Sequence, residues 1–343
     1  MFDLLDPSGY RPARTLMGNI LVVSQQFEMT DPKDSVYAVL GLIDHGASVD
    51  DSRAALLEVD YTKSLASILR DATRYALLQI LTLKGLHGIN HQFDELANPQ
   101  RFPTWTFRAD VHRQIWCSTH LPPFSWACEG LEAPSLLDDV SFGEDVLLLE
   151  GVVIDEVLQS TIACVEFTPD HYKEIQEWLV SVENIVMHQC NIAMQENIHL
   201  AIAFTLVAGK AHDGNQAQPE DLQMLVDYIK SLTIYRNGVI SNGMSIEPSL
   251  DRLKAVHRKS HIEYCGGRRF FLTTSGRMGI GPRCMRPGDI VVVLRGGQTP
   301  FILRKKVDGY WLLGPAYVHG VMYGEAVQIE RDRGRPEVVF PVW

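Results

Sequence analysis

The sequence predicts an α+β fold, with a mostly helical body and a few strands followed by a small antiparallel β-barrel-like module. In several segments before residue 260, apolar residues recur every three or four positions, which is typical of helices packed against a core. From Cys265 onward the apolar runs become short and are separated by turn dipeptides, which is typical of antiparallel strands. We therefore expect a helical body over residues 1–264 and a β module over residues 265–343.

The first well-marked helix is predicted at residues 31–42. Asp31 suits the N-cap and Pro32 the first helical position, while the Asp34 carboxylate can reach back to the cap amide. Gly41 is expected to end this helix. The short apolar run at 19–23 fits a strand or a helix equally well.

Further helices are predicted by apolar stripes, at residues 65–81, 172–186, 192–207, 219–232 and 250–260. The Trp- and Pro-rich stretch at 99–128 has neither period. We expect it to be an ordered loop that large aromatic rings anchor over the core.

Strands are predicted by continuous apolar runs between turn signals. The first, at 146–155, is interrupted by Gly151, which indicates a bulge. The expected strands of the β module are residues 269–274, 290–294, 301–305, 310–313 and 326–330.

The charge of the chain is unevenly distributed. The net charge of −11 argues against bulk binding to nucleic acid. Residues 251–343 contain 16 Lys and Arg against 8 Asp and Glu, whereas the other 250 residues contain 15 against 34. This split fits a basic surface for an anionic ligand, or a basic segment that docks against an acidic one.

The sequence predicts a cytoplasmic protein without metal or cofactor. No apolar run is long enough for a membrane helix, and the N-terminus does not resemble a signal peptide. The six cysteines are scattered and contain no C-x-x-C pair, which favours reduced thiols. His112, Cys117, His120 and Cys128 lie too far apart in sequence for a typical zinc site.

Several motifs resemble those of fungal heterokaryon-incompatibility (HET) domain proteins. DPKDSVYAVLGL at 31–42 is similar to the D-P-R-D-K-V-Y-A-L-L-G-L motif of that family, and DYTKS at 60–64 is similar to the D-Y-S-K-S that follows it. FPTW at 102–105 resembles the family's L-P-S-W. The region from 276 to 325, with YVHGVM at 317–322 and GEA at 324–326, resembles the C-terminal part of the family.

The resemblance implies a role in fungal self/non-self recognition or its regulation, through protein contacts. In that family a strand-rich segment, likened to TIR folds with a proposed nucleotide- or NAD-cleaving activity, precedes the first motif. Only 30 residues precede Asp31 here, so we expect the chain to be non-catalytic. The alternative is a HET-like body recruited as a small-molecule enzyme in fungal metabolism. A weaker option is nucleotide binding by the Arg-rich segment.

Two sets of side chains are candidate sites. Asp289, Arg304, His319 and Glu325 could form an acid–base site, because His exchanges protons near neutral pH and a carboxylate can orient it. Their structural alternative is a turn residue at Asp289 and a buried pair between Arg304 and Glu325.

The second set could line an apolar pocket for a small ligand between the aromatic loop and the β module. Its members are Trp105, His112, Trp116, His120 and Trp126. Packing of the rings in the core explains the same residues without a ligand.

Overall fold

The computed structural model describes residues 17–25, 27–43, 55–80, 83–91, 96, 102–110, 127–128, 131, 145–189, 195–236, 248–260 and 262–343. Its α-helices are α1 (Met17–Ser24), α2 (Asp34–Tyr37), α3 (Leu65–Ile80), α4 (Tyr172–Gln189), α5 (Gln195–Leu206), α6 (Gln223–Arg236), α7 (Leu250–Lys259) and α8 (Glu325–Asp332). Its strands are β1 (Leu147–Ser160), β2 (Arg269–Thr273), β3 (Met278–Gly281), β4 (Ile290–Leu294), β5 (Phe301–Lys306), β6 (Gly309–Pro315), β7 (Tyr317–Val318) and β8 (Val338–Val342). None of these helices combines the length and apolar character needed to cross a bilayer.

The predicted long helices are present, and the ambiguous run at 19–23 lies in α1. The helix predicted at 31–42 is shorter than expected, because only α2 and a 3₁₀ turn at Leu40–Leu42 form there. Asp31 is not its N-cap, because Lys33 occupies that position; the Asp31 carboxylate accepts from the Lys33 backbone amide at 2.9 Å in the turn that precedes the helix. Asp34 does not reach back to the cap; its carboxylate instead accepts from the Tyr61 hydroxyl at 2.5 Å.

The strand predicted at 326–330 is wrong, because these residues belong to helix α8. Ala326, Val327 and Glu330 are buried on one helical face, a spacing that so short an apolar run does not distinguish from a strand. Gly324 precedes the helix with a φ of 88°, a left-handed conformation that favours glycine. Strands β3, β7 and β8 were not predicted, since each is too short or too Gly- and Pro-rich to show an alternating pattern.

The bulge predicted at Gly151 is also wrong. Gly151 pairs regularly with both Leu294 of β4 and Val338 of β8, and the irregularities of β1 fall after Val153 and Val157. Glycine is needed here for a close approach, because a Cβ atom would lie 2.2 Å from the Val293 carbonyl oxygen.

The strands form one largely antiparallel sheet in the order β4-β5-β6-β8-β1-β2-β3-β7, with an additional pairing between β4 and β1. The pairings β1–β4, β4–β5, β5–β6, β6–β8 and β8–β1 therefore return to the strand from which they start. β6 and β8 are joined in parallel through Tyr310 and Val342. β1 comes from the predicted helical body, so the sheet includes strands from both sides of residue 264. The division into domains at 1–264 and 265–343 stays a prediction.

The core consists of apolar clusters on different sides of this sheet. Helices α4, α5, α6 and α7 pack together against β2 and β3. The strands β1, β4 and β5 contribute to a second cluster that includes Cys284 and Val327, and to a third that includes Trp105 and the end of α3. α1, α2 and α3 form a fourth cluster. The sheet therefore connects the helical layers and fixes the loops at its ends.

Candidate functional site

The four acid–base candidates separate into two pairs. Asp289 and Arg304 form a buried ion pair, in which Nε and a terminal nitrogen of Arg304 each donate to a different carboxylate oxygen at 2.8 Å. Arg304 also donates to the Cys284 carbonyl oxygen at 2.8 Å. Burial acts to lower the pKa of Arg304, but the hydrogen bonds and charge of Asp289 outweigh it, so this pKa is raised above its usual value.

The turn before β4 holds Asp289 in place. Gly288 has a φ of 88°, and its amide donates to the Val157 carbonyl oxygen at 2.9 Å. The Asp289 carboxylate also accepts from the Arg286 amide at 2.7 Å. Arg304 thus pairs with Asp289 rather than with Glu325, and the pair joins β5 to the turn that leads into β4.

His319 and Glu325 lie at a different place, in a solvent-accessible cleft of about 290 Å³ that we call the Tyr317 cleft. One wall is the segment that links β7 to α8, and the other is the end of α5 with the loop to residue 219. The side chains that matter for its chemistry are Phe204, Gln216, Tyr317, His319, Tyr323 and Glu325. In the part of the chain that the structure describes, no hydrogen bond or ion pair joins this cleft to Asp289 or Arg304.

Local backbone geometry builds both walls. α5 ends where Gly209 takes a φ of 72° and its amide donates to the Phe204 carbonyl oxygen at 2.9 Å. A Cβ atom at Gly209 would lie 3.2 Å from the ring and hydroxyl of Tyr317, so glycine lets the chain pass over that ring. On the other wall the His319 amide donates to the Met278 carbonyl oxygen at 2.9 Å, which fixes the histidine beside the first residue of β3.

The side chains of the cleft contact one another through ring stacking and polar contacts. The His319 ring stacks on Phe204, with the ring centroids 5.6 Å apart and the planes inclined by 23°. Its Nδ1 lies 3.5 Å from the Tyr317 hydroxyl oxygen. One oxygen of Glu325 accepts from the Tyr323 amide at 2.7 Å.

Burial shifts the titration of these groups. It lowers the pKa of His319 below its usual value, although the Glu325 charge acts in the opposite direction. Burial also raises the pKa of Tyr317 well above its usual range, with smaller contributions from Tyr323 and Glu325. At neutral pH the cleft therefore presents a neutral imidazole and protonated phenols beside Glu325.

Sequence reasoning identified His319 and Glu325 but missed Tyr317 and Phe204. Tyr317 could have been found, because it lies two residues before His319 at a strand end, and such positions share a face. Phe204 comes from a distant helix, and no local pattern connects it with His319.

The predicted aromatic pocket is described only in part. Trp105 is buried in the core, where its ring nitrogen donates to the Asp145 carbonyl oxygen at 3.0 Å. His112, Trp116, His120 and Trp126 lie outside the described residues. The Tyr317 cleft is formed by other parts of the chain, so the predicted pocket stays a prediction.

The described cysteines are buried and reduced: Cys128, Cys164, Cys265 and Cys284. Burial raises the pKa of the Cys128 thiol, and it raises that of Cys164 far above its usual range. Of the cluster considered for zinc, only Cys128 is described. Among the described residues, no group of three or more His, Cys, Asp or Glu could hold a metal ion.

Several arginines of the basic segment make internal contacts. The Arg268 guanidinium is buried and donates to the Pro315 carbonyl oxygen. Arg269 donates to the Arg283 and Thr161 carbonyl oxygens at 2.7 and 2.9 Å. Arg295 pairs with Glu150 of β1 and with Glu337, which directly precedes β8. The contacts of Arg268 and Arg269 engage their N–H groups with backbone oxygens, and those of Arg295 pair positive with negative charge, so these three side chains make bonds within the fold.

The two N-terminal motifs contact each other. Lys33 Nζ donates to the Tyr61 carbonyl oxygen at 2.7 Å, and the Tyr61 hydroxyl donates to Asp34. The Tyr37 hydroxyl donates to the Asp60 carbonyl oxygen at 3.0 Å and accepts from the Asp60 amide at 3.1 Å. The Tyr37 and Tyr61 rings meet edge to face with centroids 5.0 Å apart. DPKD and DYTKS thus form a single docked unit.

The FPTW segment ties the sheet to the rest of the chain. The Thr104 amide donates to the Trp343 backbone oxygen at 2.7 Å, and the Thr104 hydroxyl makes a further hydrogen bond to the same oxygen. That hydroxyl accepts from the Leu312 amide at 2.9 Å, and His91 Nε2 lies 2.7 Å from the Thr104 carbonyl oxygen. Thr104 therefore connects β6 with the end of β8.

Comparison with known proteins confirms the resemblance. Residues 210–335 match the Het-6 beta-barrel domain family, a range that contains most of the cleft and strands β2 to β7. A relative, heterokaryon incompatibility protein 6, OR allele, from Neurospora crassa, is 31% identical over 103 residues. These residues are 29% of this chain and 15% of that relative, so the match covers a small part of the longer protein. No solved structure matches the chain significantly.

Proposed function

We propose that this chain acts in heterokaryon incompatibility or its regulation, by contacts with another protein. The observation that carries this proposal is the match of residues 210–335 to the Het-6 beta-barrel domain, together with the relative named for heterokaryon incompatibility. The docked DPKD and DYTKS motifs support it from outside the matched range, because they also resemble HET proteins and contact each other as one unit.

The sheet, whose strands β2 to β7 lie in the matched range, fits a rigid scaffold for recognition. The circuit of pairings through β1, β4, β5, β6 and β8 supports a closed barrel, whose backbone groups are satisfied by neighbouring strands. A closed barrel predicts slow amide exchange along both edges of β4, and at the Trp343 amide, which donates to the Tyr310 carbonyl oxygen where β8 meets β6. Fast exchange along one whole edge of β4 would indicate an open sheet instead.

Expression in a filamentous fungus tests the function. Transformants that carry the chain are paired with the parent strain and with strains that carry divergent alleles. We expect heterokaryons with mismatched alleles to show arrested growth or cell death, and an empty cassette to show neither. Normal growth of every pairing, with the protein confirmed by immunoblot, would refute the proposed role.

Cross-linking in the same strains tests the mechanism. A recognition protein should yield a specific cross-linked partner in mismatched heterokaryons, identified by mass spectrometry and reduced in matched ones. Growth arrest without any allele-dependent partner would count against protein contacts while leaving the incompatibility role intact.

A further inference from the structure

The Tyr317 cleft has the composition of a site for a positively charged group. Aromatic rings form much of its surface: Phe204, Tyr317, His319 and Tyr323. Glu325 supplies a carboxylate, and among the described residues no Lys or Arg lines the cleft. Aromatic faces carry partial negative charge, so these groups together favour a cation.

The groups behind the cleft do not reverse this preference. His319 is neutral at pH 7, because burial lowers its pKa. Lys210 lies next to the wall residue Gly209, but it does not line the cleft; its side chain is buried, and its amine donates to the Tyr264 hydroxyl at 3.3 Å. Burial lowers the pKa of Lys210 as well.

Glu325 has capacity for a ligand. Its Oε2 accepts from the Tyr323 amide, while Oε1 has no donor among the residues that the structure describes. His319 Nε2 likewise has no hydrogen-bond partner among them, since the contact with the Tyr317 hydroxyl is made by Nδ1. A ligand with several N–H donors could therefore donate to Oε1 of Glu325 and, in the tautomer protonated at Nδ1, to Nε2 of His319.

We propose that the Tyr317 cleft binds an organic cation, a guanidinium group, either on a free small molecule or on an Arg side chain of a polypeptide. The volume of about 290 Å³ is at the lower end for ligand pockets, which suits one such group rather than a dinucleotide. A phosphate would meet the Glu325 carboxylate without a compensating cation. This inference holds whether or not the chain acts in heterokaryon incompatibility.

Binding to the purified full chain tests the proposal. Calorimetry is carried out with n-butylguanidinium as the free cation and with Ac-Gly-Arg-Gly-NH2 as the polypeptide form. The matched neutral ligand is Ac-Gly-citrulline-Gly-NH2, in which one nitrogen of the guanidinium is replaced by oxygen. We expect saturable binding of at least one cation and weaker or no binding of the citrulline peptide. Tighter binding of the arginine peptide identifies a polypeptide source, and equal or tighter binding of butylguanidinium identifies a free one.

Variants place the ligand in the cleft. Glu325→Gln keeps the shape and removes the charge, so we expect affinity to fall about tenfold or more. Asp332→Asn on the same helix is the matched control, because its carboxylate is exposed and lies outside the cleft, and affinity should not change. Thermal melting checks that both variants fold. The proposal is wrong if no cation binds saturably, if the citrulline peptide binds as well, or if Glu325→Gln binds like the parent.

Discussion

Arg304 holds Asp289 through two parallel hydrogen bonds although the residues lie 15 positions apart, and both side chains are buried. A bidentate pair of this kind joins β5 to the turn before β4, and its charges are removed from water together. The pair fixes the turn before β4 against β5. Because neither residue lines the Tyr317 cleft, we assign the pair a role in stability rather than in ligand binding.

Removing one partner should therefore be far more harmful than removing both. Arg304→Met leaves the Asp289 carboxylate buried without its cation, and we expect a loss of about 3–5 kcal/mol in the free energy of unfolding. The double variant Asp289→Leu with Arg304→Met should recover much of that loss. Urea denaturation measures both. Additive losses in the double variant would show that the two side chains act independently.

Gly151 should not tolerate a side chain. A Cβ atom would lie 2.2 Å from the Val293 carbonyl oxygen, where β1 pairs with both β4 and β8. Gly151→Ala is expected to lower the free energy of unfolding by about 3 kcal/mol. Gly41→Ala is the control, because nothing lies within 4 Å of a Cβ there, and it should stay within about 0.5 kcal/mol of the parent. Equal effects of the two substitutions would contradict the close approach.

The pKa of Tyr61 should report the docking of the two N-terminal motifs. Its hydrogen bond to Asp34, followed by smaller effects of burial and charge, raises the pKa of this phenol. Asp34→Asn should lower that pKa toward the usual value for tyrosine, because the neutral phenol then loses a carboxylate acceptor. NMR titration of ring-labelled tyrosine measures the shift, and Tyr61→Phe assigns the signal. An unchanged pKa in Asp34→Asn would mean that the motifs do not dock in solution.

Lys210 should destabilise the fold at neutral pH. Burial lowers its pKa in the folded state, so the unfolded state binds the proton more tightly and stability rises with pH as Lys210 loses its charge. Lys210→Met should therefore be more stable than the parent at pH 7, because methionine carries no charge to bury.

This advantage should shrink as the pH approaches the usual lysine value of about 10.4. Urea denaturation of both proteins across this pH range gives the difference. A constant difference at all pH values would show that packing, and not charge, distinguishes the variants.

Much of the helical architecture could be predicted, because an amphipathic helix repeats its apolar residues within a few positions. The stripe that begins at Leu65 marks α3 almost to its last residue. The prediction failed at residues 326–330, where Ala326, Val327 and Ile329 fit either a short strand or a single helical face. Strand β8 was missed for a related reason, since Pro341 interrupts its pattern.

The candidate site could be predicted only by residue type. His319 and Glu325 stood out as polar residues in a glycine-rich segment, and both line the cleft. Asp289 and Arg304 stood out in the same way, yet they pair with each other elsewhere. The distances between these residues in the sequence did not show which of them would be neighbours, because strand pairing determines which side chains meet in the fold.

By itself, the sequence determined the long helices, four of the five strands predicted in the β module and the resemblance of its motifs to HET proteins, because each of these depends on local patterns. Only the tertiary structure decided that β1 enters the sheet, that Arg304 pairs with Asp289, and that Phe204 stacks on His319. These contacts join residues from distant parts of the chain, and the packing of the whole core fixes them.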